Sequence, residues 1–167
     1  TNTGTINVGQ EGSAGIYAKN NTGTNTNSVV ENKLAINVTK QGSAAILGEK
    51  SDITNSKTAG VITLSAFKSA GIIGNNDSKV SNAGKIETTG VSPTKAEEGL
   101  VGISLNASKG TNISTGQIKI GTAYSTGMFG VATSTLTNEG SITGTKVFAV
   151  GMAGKASTVT NKKTITL

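Results

Sequence analysis

One short phrase returns along the chain. Leu136-Thr137-Asn138-Glu139-Gly140-Ser141-Ile142 is repeated as Val80-Ser81-Asn82-Ala83-Gly84-Lys85-Ile86, and its first half comes back as Val159-Thr160-Asn161. An apolar residue, a small polar one, Asn, a turn glycine and then Ile read as a strand end, a corner and the start of the next strand. Self-similarity at a period of about 20 to 50 residues marks solenoids and related arrays. No other feature narrows the possible folds as far.

Aligning the copies gives three apolar columns. The first, two positions before the Asn, runs Val30, Ile53, Val80, Ile113, Leu136 and Val159, and the Asn column reads Asn2, Asn32, Asn55, Asn82, Thr115, Asn138 and Asn161. The second is Ile6, Ile36, Ile62, Ile86, Ile118, Ile142 and Ile165; the third is Ile16, Ile46, Ile72, Ile103, Met128 and Val150. Apolar and polar residues alternate within a copy, as in Ile36-Asn37-Val38 and Ile118-Lys119-Ile120, the period of a strand with one buried face. No window carries a helical stripe. The prediction is an all-β chain: a parallel β-helix (solenoid) of about six to seven coils, each of about 23 residues and three short strands, stacked at about 4.8 Å. Crossovers between parallel strands wind right-handed in nearly all cases, so a right-handed parallel β-helix is expected over residues 1–167 as a single segment.

The spacing is interrupted twice, and both interruptions read as loops. The first copy carries an Asn- and Thr-rich tongue over residues 20–28, and the fourth an insertion around Gly90 to Gly99 that holds Pro93. Loop closure entropy grows slowly with length, and loops on rigid scaffolds often carry function. Candidate binding residues are Asn20, Asn21, Asn25 and Asn27 in the tongue, and Thr94, Lys95, Glu97 and Glu98 in the insertion. Tolerated insertions are the alternative.

Aromatics make up 3% of the chain and Gly numbers 23, so the core must be thin and aliphatic, which suits closely stacked sheets better than helices. The net charge of +6 comes from Lys alone. Without Arg to fork onto phosphates or aromatic platforms for bases, nucleic-acid binding is not expected. The absence of cysteine rules out disulfides and Cys-ligated metals. No apolar run reaches membrane-spanning length, so direct membrane insertion of this segment is not expected. The chain opens and stops inside a repeat, with no signal peptide; a fragment with further coils on both sides is the expectation.

The Asn column reads as a structural ladder of stacked amides rather than a row of ligand contacts. Cleavage of a polysaccharide needs clustered acids, often with calcium. Asp52 and Asp77 stand about a coil apart beside Lys50 and Lys79, where they would stack at a solvated corner, and Glu97 and Glu98 are adjacent, so on a strand they would face opposite ways. No His is present to activate a Ser or Thr. No enzymatic activity, cofactor or metal is expected. The calcium-binding GGxGxD repeat is absent, and phrases such as Thr1-Asn2-Thr3 and Thr133-Ser134-Thr135 occupy different places in the repeat, against an ice-binding face. Lys50, Lys79, Lys109 and Lys155 each precede the first apolar column. They are expected to stack along one corner, as a solvated edge or as a basic stripe for anionic glycans.

Asn-x-Gly-x-Ile-x-Val over Asn2 to Val8, followed by Ser-Ala-Gly-Ile over Ser13 to Ile16, resembles the passenger repeats of large autotransporter adhesins of the type V secretion system, in particular the fusobacterial kind. The resemblance covers essentially the whole chain. It implies a long β-helical passenger, displayed at the bacterial cell surface by a C-terminal outer-membrane β-barrel or secreted, that attaches to a protein or glycan receptor on host cells or other bacteria. The function class is then an adhesin stalk presenting loops. A polysaccharide-acting β-helix, as in lyases or phage tail spikes, is the alternative.

Overall fold

The computed structural model describes residues 1–20 and 26–167. The strands begin with β1 (Ile6–Val8), β2 (Ala14–Lys19), β3 (Ser28–Asn32), β4 (Ala35–Val38), β5 (Ala44–Glu49) and β6 (Ser51–Asn55). They continue with β7 (Val61–Leu64), β8 (Ala70–Asn75), β9 (Lys79–Asn82) and β10 (Lys85–Thr88). After a 3₁₀ turn at Ala96–Glu98 come β11 (Val101–Asn106), β12 (Lys109–Asn112), β13 (Gln117–Ile120), β14 (Thr126–Val131) and β15 (Thr135–Asn138). The last are β16 (Ser141–Gly144), β17 (Val150–Lys155), β18 (Thr158–Asn161) and β19 (Ile165–Thr166).

Every third strand pairs, and always in parallel. The first sheet is ordered β1-β4-β7-β10-β13-β16-β19, the second holds β2, β5, β8, β11, β14 and β17, and the third β3, β6, β9, β12, β15 and β18. The molecule is therefore a three-sided parallel β-solenoid of about six turns, as the repeat predicts. The turns are not uniform: stacked Asn residues lie 23 to 30 positions apart.

The second apolar column forms the spine of the first sheet. Ile6, Ile36, Ile62, Ile86, Ile118, Ile142 and Ile165 pair one above another, and Ile36, Ile62, Ile86 and Ile142 are fully buried. The third column runs from Ile16 through Met128 to Met152, not to Val150. The corner before β17 keeps the five residues, 145–149, that other such corners use. Val150 therefore opens β17 opposite Thr126, the first residue of β14, two residues before the file.

The first column needs a second correction. Val30, Ile53, Val80, Leu136 and Val159 are joined by Gly110, not by Ile113. Elsewhere a glycine on the second sheet leaves room for a branched residue on the third: a Cβ on Gly48 would meet Ile53, one on Gly74 would meet Val80, and one on Gly130 would meet Leu136. In the coil of β11 and β12 the sizes are exchanged. Leu105 fills the space, its Cδ1 2.7 Å from where a Cβ on Gly110 would stand. A search for an apolar side chain therefore passes over Gly110 and finds Ile113, a half-buried corner residue.

Candidate functional site

Each third-sheet strand ends in an Asn whose side chain turns into the corner. Asn2, Asn32, Asn55, Asn82, Asn112, Asn138 and Asn161 form an unbroken row in which Nδ2 of each donates to Oδ1 of the next at 2.7–2.9 Å. Asn112 occupies the place that spacing assigns to Thr115. Thr115 stands two residues after Ile113, whereas the first-column position belongs to Gly110, two residues before Asn112; the corner at 113–116 is also longer than the two-residue corners at 83–84 and 139–140. Thr115 sits within that corner, and its hydroxyl donates to the Ala83 carbonyl at 3.0 Å. Asn55 and Asn112 also donate to the Gly60 and Gly116 carbonyls at 3.0 and 3.3 Å. These stacked corners run backbone to backbone: a Cβ on Gly84 would collide with the Gly60 and Ser56 carbonyl oxygens. Among the described residues no buried side-chain nitrogen or oxygen lacks a partner, the condition under which buried amides stabilise rather than disrupt.

A second row, missed in the sequence, borders the opposite corner. Ser28, Ser51, Ser78, Ser108, Ser134 and Ser157 each stand four residues before an Asn of the row. The N–H groups of Ser51, Ser78 and Ser108 donate to the hydroxyls of Ser78, Ser108 and Ser134 at 3.1–3.3 Å. The hydroxyls of Ser51, Ser78, Ser108 and Ser134 donate to the carbonyls of Glu49, Asn75, Asn106 and Val131. Each thereby closes a corner whose apex is left-handed: Lys50, Asn76, Asp77, Ala107, Ala132 and Thr133 have φ of 48 to 65°.

The corners between first and second sheets hold five residues, as at 39–43, 65–69 and 121–125, except for twelve at 89–100. There Thr94, Lys95 and Glu97 are exposed and Glu98 is half-buried. Glu97 and Glu98 lie in the 3₁₀ turn, not on a strand with opposed faces. Hydrogen bonds fasten this insertion to the coils on both sides, among them the Lys68 N–H to the Glu98 carbonyl at 3.0 Å, and the Ala123 and Leu100 N–H groups to Ser92 Oγ and Ser125 Oγ, both at 3.1 Å. In the tongue, Asn21 and Asn25 lie outside the described residues. Asn20 Nδ2 donates to the Thr26 carbonyl and Asn27 Nδ2 to Asp52 Oδ1, both at 2.7 Å. The tongue joins the second sheet to the third and the insertion joins the first to the second, so their ends stand at different corners of the solenoid.

The charged residues group differently from their spacing. Lys79 and Lys109 are in-register neighbours, but their row continues into Asp52 and Thr135. Lys50 stands at a left-handed apex, and Lys155 ends a second-sheet strand opposite Val131. The four-lysine stripe therefore reduces to a pair. Asp52 stacks on Lys79 rather than on Asp77, because Asp77 is the second residue of a two-residue apex. Lys19 pairs with Glu49 at 3.2 Å, and hydrogen bonding to that carboxylate raises the ammonium pKa. Among the described residues no group of three or more acidic, His or Cys side chains is placed to hold a metal ion. Nor, among the described residues, is any helix long and apolar enough to cross a membrane.

Three parallel sheets, amide and hydroxyl rows at two corners and loop variation confined to the bends define a parallel β-solenoid domain. More narrowly, all of residues 1–167 match the family model of the BigA third pectate lyase-like domain, and the chain belongs to that family. The family is a pectate lyase-like β-helix domain of a bacterial surface, adhesin-like protein. No curated protein and no solved structure gives a significant match.

Proposed function

We propose that this domain is a rigid stalk segment of an autotransporter adhesin, displayed outside the outer membrane, that presents corner loops to a protein or glycan receptor on host cells or other bacteria. The 89–100 insertion carries this reading. Twelve residues stand where five suffice, with Thr94, Lys95 and Glu97 turned to solvent and the loop base fastened to two adjacent coils. Such a loop is held ready for a partner at small entropic cost on binding. The tongue at 20–28 is the second presenting loop. In this proposal the chain has no catalytic role and needs no cofactor: Asp52 is engaged by Asn27 and beside Lys79, and Asp77 lies at another bend.

Replacing residues 89–100 by the five-residue corner sequence of 65–69 tests it. Attachment of cells displaying the chain is expected to fall, with the β-rich circular dichroism spectrum retained. Attachment that survives this exchange together with removal of the tongue would refute the loop-binding role. The pectate lyase-like description of the family favours the second reading, action on a polysaccharide. Release of reducing ends from a glycan digest would establish that reading.

A further inference from the structure

The outward side of the second sheet differs from those of its two neighbours. In the first and third sheets the strands alternate, and one outward row of each is wholly polar over its central coils: Asn37, Thr63, Glu87 and Lys119, and Thr54, Ser81, Thr111 and Thr137. The second sheet instead reads AAILGE, AGIIGN and TGMFGV in β5, β8 and β14. Nearly continuous apolar strands of this kind are characteristic of parallel sheets covered on both faces. Its outward file is Tyr17, Leu47, Ile73, Ser104, Phe129 and Ala153, one above another. None of these side chains belongs to the interior cluster; Tyr17 is 55% exposed and the other five are half-buried. In the adjoining outward row, Lys19, Glu49, Asn75, Asn106, Val131 and Lys155, charge stands only toward the two ends. An apolar centre with a charged rim is the anatomy of a protein interface.

We propose that a second copy of this chain covers this face, packed sheet against sheet with the coil order reversed. Two observations favour a copy over another occupant. The first is self-complementarity. Reversing the file sets Tyr17 against Ala153 and Ile73 against Ser104, large side chains over small ones, and brings Leu47 against Phe129. Isologous two-fold contacts require such matching of a surface to itself. The second is size. Six strands at about 4.8 Å and six residues at about 3.3 Å give a face of about 600 Å², or about 1,200 Å² for two copies, at the lower bound of specific interfaces. The inference is independent of which receptor the loops bind.

Sedimentation across a concentration series tests it on the 167-residue chain. A dimer is expected, and Ile73→Lys with Phe129→Lys is expected to raise its dissociation constant by about thirtyfold or more. Ile73→Thr with Phe129→Thr keeps strand-compatible side chains and serves if the lysine variant does not fold. Because the chain has no cysteine, Leu47→Cys and Phe129→Cys chains can be mixed with a short bismaleimide. Crosslinking between the two variants, and not within either alone, is the expected pattern. A wild-type monomer at all concentrations overturns the proposal. So does a dimer indifferent to both face variants, an open-ended series of masses that marks end-to-end addition, or self-crosslinking of either single variant.

Discussion

Each Asn between the two ends of the row does two jobs with one amide: it accepts from the coil before and donates to the coil after. Asn82 shows what that implies. Its Oδ1 takes the Asn55 proton at 2.8 Å and its Nδ2 serves Asn112 at 2.7 Å, with the whole residue buried. Asn82→Leu leaves the Asn112 oxygen without a donor in a dry corner, and stability is expected to fall by about 3 kcal/mol, read from denaturant midpoints. Binding to any receptor should persist in the folded fraction. Thr115→Val removes one half-buried hydroxyl contact to the Ala83 carbonyl and should lower stability by about 1 kcal/mol or less. Equal losses at Asn112→Ala and Thr115→Ala would contradict the assignment of the row to Asn112.

Within a coil the decisive relation is between facing strands. Leu105 on β11 and Gly110 on β12 hold the same space that Gly130 on β14 and Leu136 on β15 divide the other way. Leu105→Gly should open a cavity and destabilise by about 3 kcal/mol or more, and Gly110→Val should overpack by about 1 to 3 kcal/mol. The double variant restores the arrangement of the other coils, so the two losses should largely cancel in a double-mutant cycle. This exchange also explains what was legible in the sequence and what was not. The file of seven isoleucines and the insertion around Gly90 to Gly99 were readable because side-chain chemistry and spacing agree there. The Gly110 coil was misaligned because size is conserved across a pair of positions, not at each position. The Ser four residues before every Asn from Asn32 onward would have selected Asn112, since Thr111, not Ser, stands four before Thr115. The lysine stripe failed because its members stand at different distances from the first column: Lys79 and Lys109 directly before Val80 and Gly110, but Lys50 three residues before Ile53 and Lys155 four before Val159. Thr94, Lys95 and Glu97 share exposure at a bend, and exposure there imposes no spacing that would rank one above another.

At the scale of the molecule, each strand depends on the strands above and below it, since neighbouring coils share both hydrogen bonds and apolar files. In this chain the central isoleucines are fully covered, whereas Ile6 and Ile165 are only partly buried. Amide hydrogen exchange should therefore be slowest from β7 to β13 and rise toward both outer coils, as in a quasi-one-dimensional array. Uniform protection from β1 to β19 would contradict this nearest-neighbour dependence. The amide row carries a wider implication. Because every turn offers the same donor to one neighbour and the same acceptor to the other, a gene that duplicates the stretch from one Asn to the next encodes a turn already fitted at both junctions. Recombination can then adjust the reach of the protein in increments of about 4.8 Å without redesigning its interior.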